Sequence, residues 1–192
     1  MIETEVRYRI NEEQLKSIEL AGHRWSDPSQ LVDVVFAPNE VSYTKKYDWF
    51  VRLRTASIGS RMEYKGRRND EGNSWEEIGF DISDYKAAIA FLIQLGLTPV
   101  IVIDRIRKEA VFDKVKLAID EVKYLGNFIE IEAEALSYND ATDLLREAAI
   151  ELGVGSEPNA PPYGRMIEDV MAVDSNVRAL ILDHLRTLIS DD

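Results

Sequence analysis

The sequence predicts an α+β protein: about eight strands, mostly antiparallel, in a sandwich or a closed barrel with three or four helices outside it. Three observations predict it. Short runs alternate between apolar and charged residues with period two, as in "IETEVRYRI" at residues 2 to 10. Tight turn residues separate these runs at hairpin spacing. A few longer stretches carry helix caps and stops instead.

Taken in order, residues 2 to 10 form a strand, with Glu3, Glu5, Arg7 and Arg9 on one face and Thr4, Val6, Tyr8 and Ile10 on the other. Asn11 to Ala21 is a helix, because Asn11 can cap it, Gln14 stands three residues on, and Gly22 ends it. Residues 29 to 37 are a strand and "PNE" a turn. Residues 48 to 56 and 60 to 67 pair as a hairpin through Ser57-Ile58-Gly59, and "RRNDEGN" is the next turn, leading to a strand at 74 to 80. Asp81 to Leu95 is a helix capped at Asp81 or Ser83 and stopped by Gly96. Residues 99 to 112 are a long strand. Residues 114 to 121 and 127 to 135 form a last hairpin around Leu125-Gly126-Asn127. Ser137 caps a helix to Leu152, "SEPNAPPYG" is a proline-rich break, and residues 175 to 189 form an amphipathic end helix with Val177, Leu180, Ile181, Leu185 and Leu188 on one stripe.

The totals exclude several classes. With 192 residues the chain can bury a real core. It has no cysteine, hence neither disulfides nor thiolate metal sites. No apolar run reaches the roughly 18 residues of a membrane span, and the N-terminus has no signal-peptide pattern, so a cytoplasmic protein is expected. A net charge of −12 argues against nucleic acid and anionic membranes as partners.

The sorting of charge carries the functional reading. Arg52 and Arg54 share a face in "FVRLRT"; Arg61, Glu63, Lys65 and Arg67 share one in "RMEYKGR". Arg105, Arg107 and Glu109 align in "IDRIRKE", and Glu130, Glu132 and Glu134 in "FIEIEAE". Asp120 stands opposite Leu117 and Ile119 in "KLAID". One interpretation puts these faces in water around an ordinary apolar core. The other inverts the barrel, so that helices cover its apolar outside and charge lines its lumen. Arginine pairs and glutamate pairs on strand after strand favour the second. Hard cations such as Mg²⁺ take carboxylate and phosphate oxygens, while arginine grips phosphate with a bidentate fork. Acids at the first and last strands with bases between them make a polyphosphate–metal site.

These residues resemble a known family. "ETEVR" at 3 to 7 is similar to the ExExK signature of the CYTH superfamily, the triphosphate tunnel metalloenzymes. The likeness continues through "RLR" at 52 to 54, "YKG" at 64 to 66, "EE" at 76 to 77, "DRIR" at 104 to 107, "IDEVKYLGNFIEIEAE" at 119 to 134 and "EPNAPPYGRMI", covering about residues 2 to 167. The resemblance implies an eight-stranded antiparallel β-barrel, a tunnel domain over 1 to 167, with residues 168 to 192 a helical extension packing on it. It implies Mg²⁺ or Mn²⁺ held by Glu3, Glu5, Glu130 and Glu132, assisted by Glu77 and Asp120. Phosphate would be held by Arg7, Arg9, Arg52, Arg54, Lys65, Arg105 and Arg107, with Arg165 a further contact at the returning chain. Glu3, Glu5, Lys65, Glu130 and Glu132 are the implied catalytic set. Arg7 and Arg105 stand where the family has lysines; they keep charge but cannot trade protons at neutral pH.

The implied function is a metal-dependent enzyme on a small-molecule triphosphate. Class IV adenylyl cyclase (ATP to cyclic AMP and pyrophosphate) stands first. Triphosphatase is the alternative, and a non-catalytic polyphosphate-binding module a further one. His23, after a helix end, and His184, on the apolar stripe, are expected to pack and not to catalyse. Trp25, Trp49 and Trp75 are expected in the core or at its rim. The end helix either covers the outer apolar face or mediates a homodimer.

Overall fold

The computed structural model describes residues 2–38, 49–66 and 77–190. The turns expected at "PNE" and "RRNDEGN", together with Arg67, Trp75 and Glu76, lie wholly or largely outside them. The described elements are β1 (Ile2–Arg9), α1 (Glu12–Leu20), β2 (Ser29–Pro38), β3 (Phe50–Ala56), β4 (Gly59–Lys65), β5 (Glu77–Ile82), α2 (Tyr85–Gln94), β6 (Leu97–Phe112), β7 (Val115–Val122), β8 (Gly126–Ala135), α3 (Tyr138–Glu151), α4 (Tyr163–Val173) and α5 (Ser175–Ile189). The strands are hydrogen-bonded in the order β1-β8-β7-β6-β2-β3-β4-β5; the pairs β1–β8, β8–β7, β7–β6, β2–β3, β3–β4 and β4–β5 are antiparallel.

This order corrects the expected barrel. β1 and β5 end the sheet, and no pairing among the described residues joins them. Eight antiparallel strands are present, but the sheet is not closed. Alternation fixes which face of a strand is apolar. Closure depends on strand tilt and stagger around the sheet, which alternation does not encode.

The chain divides into two compact units, with β6 passing from one to the other at residues 104 and 105. In the first unit, β1, β8, β7 and the second half of β6 bury Tyr8, Leu117, Ile119, Ile129 and Ile131 on one face. Helix α3 lies on β8 and β1 and contributes Ala141, Leu145, Ala148 and Ala149 to the same cluster. α1 adds Ile18. Its expected capping box is present: Asn11 Oδ1 accepts from Gln14 N at 2.9 Å, and Gln14 Oε1 accepts from Asn11 N at 3.1 Å. Within this unit the proline-rich stretch runs along the outer edge of β1. Ala160 N donates to Arg7 O at 3.3 Å, and Arg9 N donates to Asn159 Oδ1 at 2.6 Å.

In the second unit, β2 to β5 and the first half of β6 bury Val34, Phe36, Leu53, Ile101 and Ile103. Helix α2 begins later than its sequence predicts. Asp81 and Ile82 belong to β5, with Asp81 opposite Arg61, and Asp84 caps the helix by accepting from Ala87 N at 2.9 Å. Helix α4 was not expected. It buries Tyr163, Met166 and Ile167, packs on α5, and runs through residue 167, where the tunnel domain was expected to end. α5 spans 175 to 189 as predicted, with Ile181 and Leu185 buried.

Candidate functional site

In the first unit, register builds a charged face from residues far apart in sequence. Glu5 lies opposite Glu132 and Arg7 opposite Glu130 across β1 and β8; backbone pairing also sets Glu3 opposite Glu134. Across β7 and β8, Lys116 faces Glu132. Across β6 and β7, Arg107 faces Asp120.

The centre of this face is a buried ionic network. Arg7 Nε donates to Glu130 Oε1 at 2.7 Å, and its Nη2 donates to the same oxygen. Arg107 Nη2 donates to Glu130 Oε2, while its Nε and Nη2 grip Asp120 at 2.7 and 2.5 Å. Arg105 Nε lies 3.5 Å from Asp120 Oδ1. Glu130 is 8% exposed and Asp120 fully buried. Burial alone would push the Glu130 carboxyl up; the guanidinium groups of Arg7, Arg107 and Arg105 outweigh it and hold the group well below the usual carboxylate range. Around the network the charges are wetter. Arg7 Nη2 reaches Glu5 Oε1 at 3.2 Å, and Lys116 Nζ donates to Glu132 Oε1 at 2.7 Å and Glu134 Oε1 at 3.2 Å. The bond to Glu132 is the main reason the Lys116 ammonium holds its proton above the ordinary lysine range.

A cavity of about 410 Å³ opens onto this face. Arg107, Lys116 and Arg24 supply cations to its wall, Glu5, Glu109, Glu130 and Glu132 carboxylates, and Trp25 an aromatic ring. Arg9 stands apart from that lining. Its guanidinium lies 4.7 Å from the centre of the Phe128 ring, and its Nη1 donates to Leu125 O. His23 packs edge-on to Phe112 at 4.9 Å, in keeping with a packing role.

The second unit carries its own charged row. Arg54 forks onto the buried Asp33 at 2.7 and 2.9 Å. Arg52 Nε donates to Glu63 Oε2 at 2.6 Å, Arg61 Nε to Glu63 Oε1 at 3.3 Å, and Lys65 pairs with Glu77. Burial raises the Glu63 carboxyl, and Arg52 and Arg54 more than reverse it, so it stays below the usual range. Gly79 lies opposite Glu63, and a Cβ there would sit 2.7 Å from Arg61 Nη2, so the Arg61 side chain would have to shift to admit one. Arg165 pairs with Asp169 one turn along α4, at the surface. Trp49 stacks on Tyr64 with ring centres 6.0 Å apart.

Sequence reasoning missed Asp33, Lys116 and Arg24. Asp33 left a signal: one carboxylate inside "LVDVVF", where an unpaired charge would cost several kcal/mol. Lys116 left none, since one lysine on a hairpin strand reads as a solvated face.

Glu5 and Glu132 offer oxygens of the kind Mg²⁺ and Mn²⁺ take, and the like charges they set opposite each other would be eased by a cation between them. Among the described residues no group of three or more Asp, Glu or His side chains is arranged to hold a metal ion. Mg²⁺ is ordinarily held by one or two carboxylates together with substrate phosphates, so the donor pair fits that ion. The side chain of Glu3 lies outside the description.

Compared with known proteins, residues 1–161 match the CYTH domain. The chain is 27% identical over 153 residues to "Putative adenylate cyclase MJ0240" of Methanocaldococcus jannaschii, across 77% of this chain and 85% of that protein. Among solved structures it is similar to the PH1012 protein of Pyrococcus horikoshii, with a TM-score of 0.72 at 24% identity over 84% of this chain and 96% of that one. It is also similar to HpAC1 of Hippeastrum, described as having a dominant triphosphatase activity, with a TM-score of 0.60 at 17% identity over 84% and 91%. No helix among the described residues is long and apolar enough to cross a membrane.

Proposed function

Because the chain belongs to the CYTH domain family, we propose that it is a divalent-metal-dependent enzyme acting on a triphosphate, and that it runs the adenylyl cyclase reaction. The observation that carries the reading is the cavity of the first unit, whose wall combines Arg107 and Lys116 with the carboxylates of Glu5, Glu130 and Glu132. Cations for phosphate and hard oxygens for metal stand on one face.

In that reaction the ribose 3′-hydroxyl of ATP attacks the α-phosphate and pyrophosphate leaves. The roles proposed for this chain's residues are positioning and charge stabilisation. Arg7, Arg105 and Arg107 hold phosphate oxygens, with Glu130 and Asp120 keeping their guanidinium planes fixed before substrate arrives. Arg52, Arg54 and Lys65 of the second unit's charged row, and Arg165 on α4, are proposed as hydrogen-bond donors to phosphate. Each of them already has an acidic partner, so binding exchanges a carboxylate for a phosphate. Glu5 and Glu132 are the proposed metal ligands, with Glu3 beside them by register; Mg²⁺ or Mn²⁺ bound there supplies neutralisation of phosphate charge. Glu77 is assigned to Lys65 in place of metal, since it pairs with that ammonium. Arg9 is assigned to holding the β7–β8 turn in place of phosphate. Lys65 is the lysine among the second unit's phosphate candidates, and so the one there able to share a proton.

A second reading, triphosphate hydrolysis, is favoured by the description of the Hippeastrum relative. The test is product analysis. Purified protein is incubated with Mg²⁺ or Mn²⁺ and, separately, ATP, tripolyphosphate and thiamine triphosphate. Cyclic AMP with pyrophosphate is the expected result. Orthophosphate from tripolyphosphate, without cyclic nucleotide from ATP under either metal, establishes the hydrolase instead. Tight tripolyphosphate binding that ignores metal, with no turnover, leaves a binding module.

A further inference from the structure

We propose that Lys116 is the built-in counter-ion of the carboxylate row on β1 and β8, holding the place that a divalent cation takes over, and that its displacement limits how tightly the empty site binds metal. The inference rests on the reading of Glu5 and Glu132 as metal ligands.

The row is an electrostatic problem before any ligand arrives. Glu5 stands directly opposite Glu132, and like charges directly opposed on a sheet repel. Lys116 is opposite Glu132 on its other side, and its Nζ bonds Glu132 Oε1 at 2.7 Å and Glu134 Oε1 at 3.2 Å. It therefore neutralises Glu132, one of the two carboxylates that a metal would use.

Among the cations on this face, Lys116 is the one built to leave. Arg7 and Arg107 are held in the buried network by paired hydrogen bonds to carboxylates, and their side chains are 9% and 13% exposed. Lys116 is 61% exposed, so swinging its ammonium into water uncovers no buried charge. Its flexible stem and compact charge suit exchange, where a guanidinium fork suits fixed geometry. It also lines the cavity with Arg107, so the released ammonium stays where a phosphate enters.

The experiment is Mn²⁺ titration of the full-length protein, without triphosphate and at low salt, by calorimetry or by the electron paramagnetic resonance of free Mn²⁺. Wild type, Lys116→Met and Glu132→Gln are compared, together with metal-free melting temperatures. An exposed ion pair of this kind is worth up to about a factor of five in an equilibrium. Lys116→Met should bind Mn²⁺ about threefold to fivefold more tightly than wild type on that scale. It should also melt lower without metal, with the difference closing at saturating Mn²⁺. Unchanged or weaker Mn²⁺ affinity in Lys116→Met, while Glu132→Gln loses binding, overturns the role of Lys116 alone. Wild-type affinity in Glu132→Gln overturns the metal reading beneath it.

Discussion

Glu130, a metal ligand by the family resemblance, stands in the structure between two arginines. Its two oxygens are divided between Arg7 and Arg107. Removing its charge would leave two guanidinium groups with reduced pairing in a site 8% exposed at its centre. Breaking a buried pair of this sort costs about 3–5 kcal/mol, so Glu130→Gln should unfold at markedly lower urea concentration as well as lose activity. The same variant carries a pH signature. Because the folded-state carboxyl titrates below its unfolded counterpart, Glu130 stabilises the fold above the ordinary glutamate value of about 4.3, and that contribution fades as pH falls further. Wild type should lose stability steeply below that point, and Glu130→Gln less steeply; parallel acid limbs would rule the network out as the cause. Glu132 makes a cleaner probe of metal chemistry. Its side chain is 29% exposed and pairs with the exposed Lys116, so Glu132→Gln should shift stability by less than about 1 kcal/mol. The residue types of this site were legible from alternation. Their pairing was not, because the face of a strand follows from its own sequence whereas the opposite neighbour follows from register.

Among the elements, legibility tracked local signals. α1, α3 and α5 announce themselves through Asn11, Ser137 and a clear apolar stripe, and the structure keeps them within a residue or so of their expected ends. The Asn11 box is fully formed, so Asn11→Ala should destabilise the protein by about 1 kcal/mol, read as a shifted urea midpoint at unchanged slope. α4 carries the helical pattern too, with Tyr163, Met166, Ile167 and Val170 at three- and four-residue spacing. The prolines before it draw the eye to a break, yet Pro162 stands at the helix start, where its missing N–H costs nothing. α2 starts later than its sequence predicts, at neither of the expected caps, Asp81 and Ser83. Strand pairing claims Asp81 and leaves Asp84.

For the molecule as a whole, the net charge of −12 hides how its cations are deployed. Among the described arginines, Arg7, Arg52, Arg54, Arg61 and Arg107 each bond an acidic side chain on the sheet. Composition excluded nucleic acid and membrane partners by expectation, but the family could be reached only through the order of motifs along the chain. Closure of the sheet lay beyond both, since it is decided by strand stagger. One feature of that open sheet bears on handling the protein. The free margin of β1 is occupied at Arg7 and Arg9 by Asn159 and Ala160. A strand margin left bare recruits strands from other molecules. Those few proline-flanked residues therefore guard against fibrillation, and replacing Asn159 and Ala160 with proline, which removes the Ala160 amide and the Asn159 acceptor, should raise light scattering and thioflavin binding on storage well before it lowers the helical circular dichroism signal.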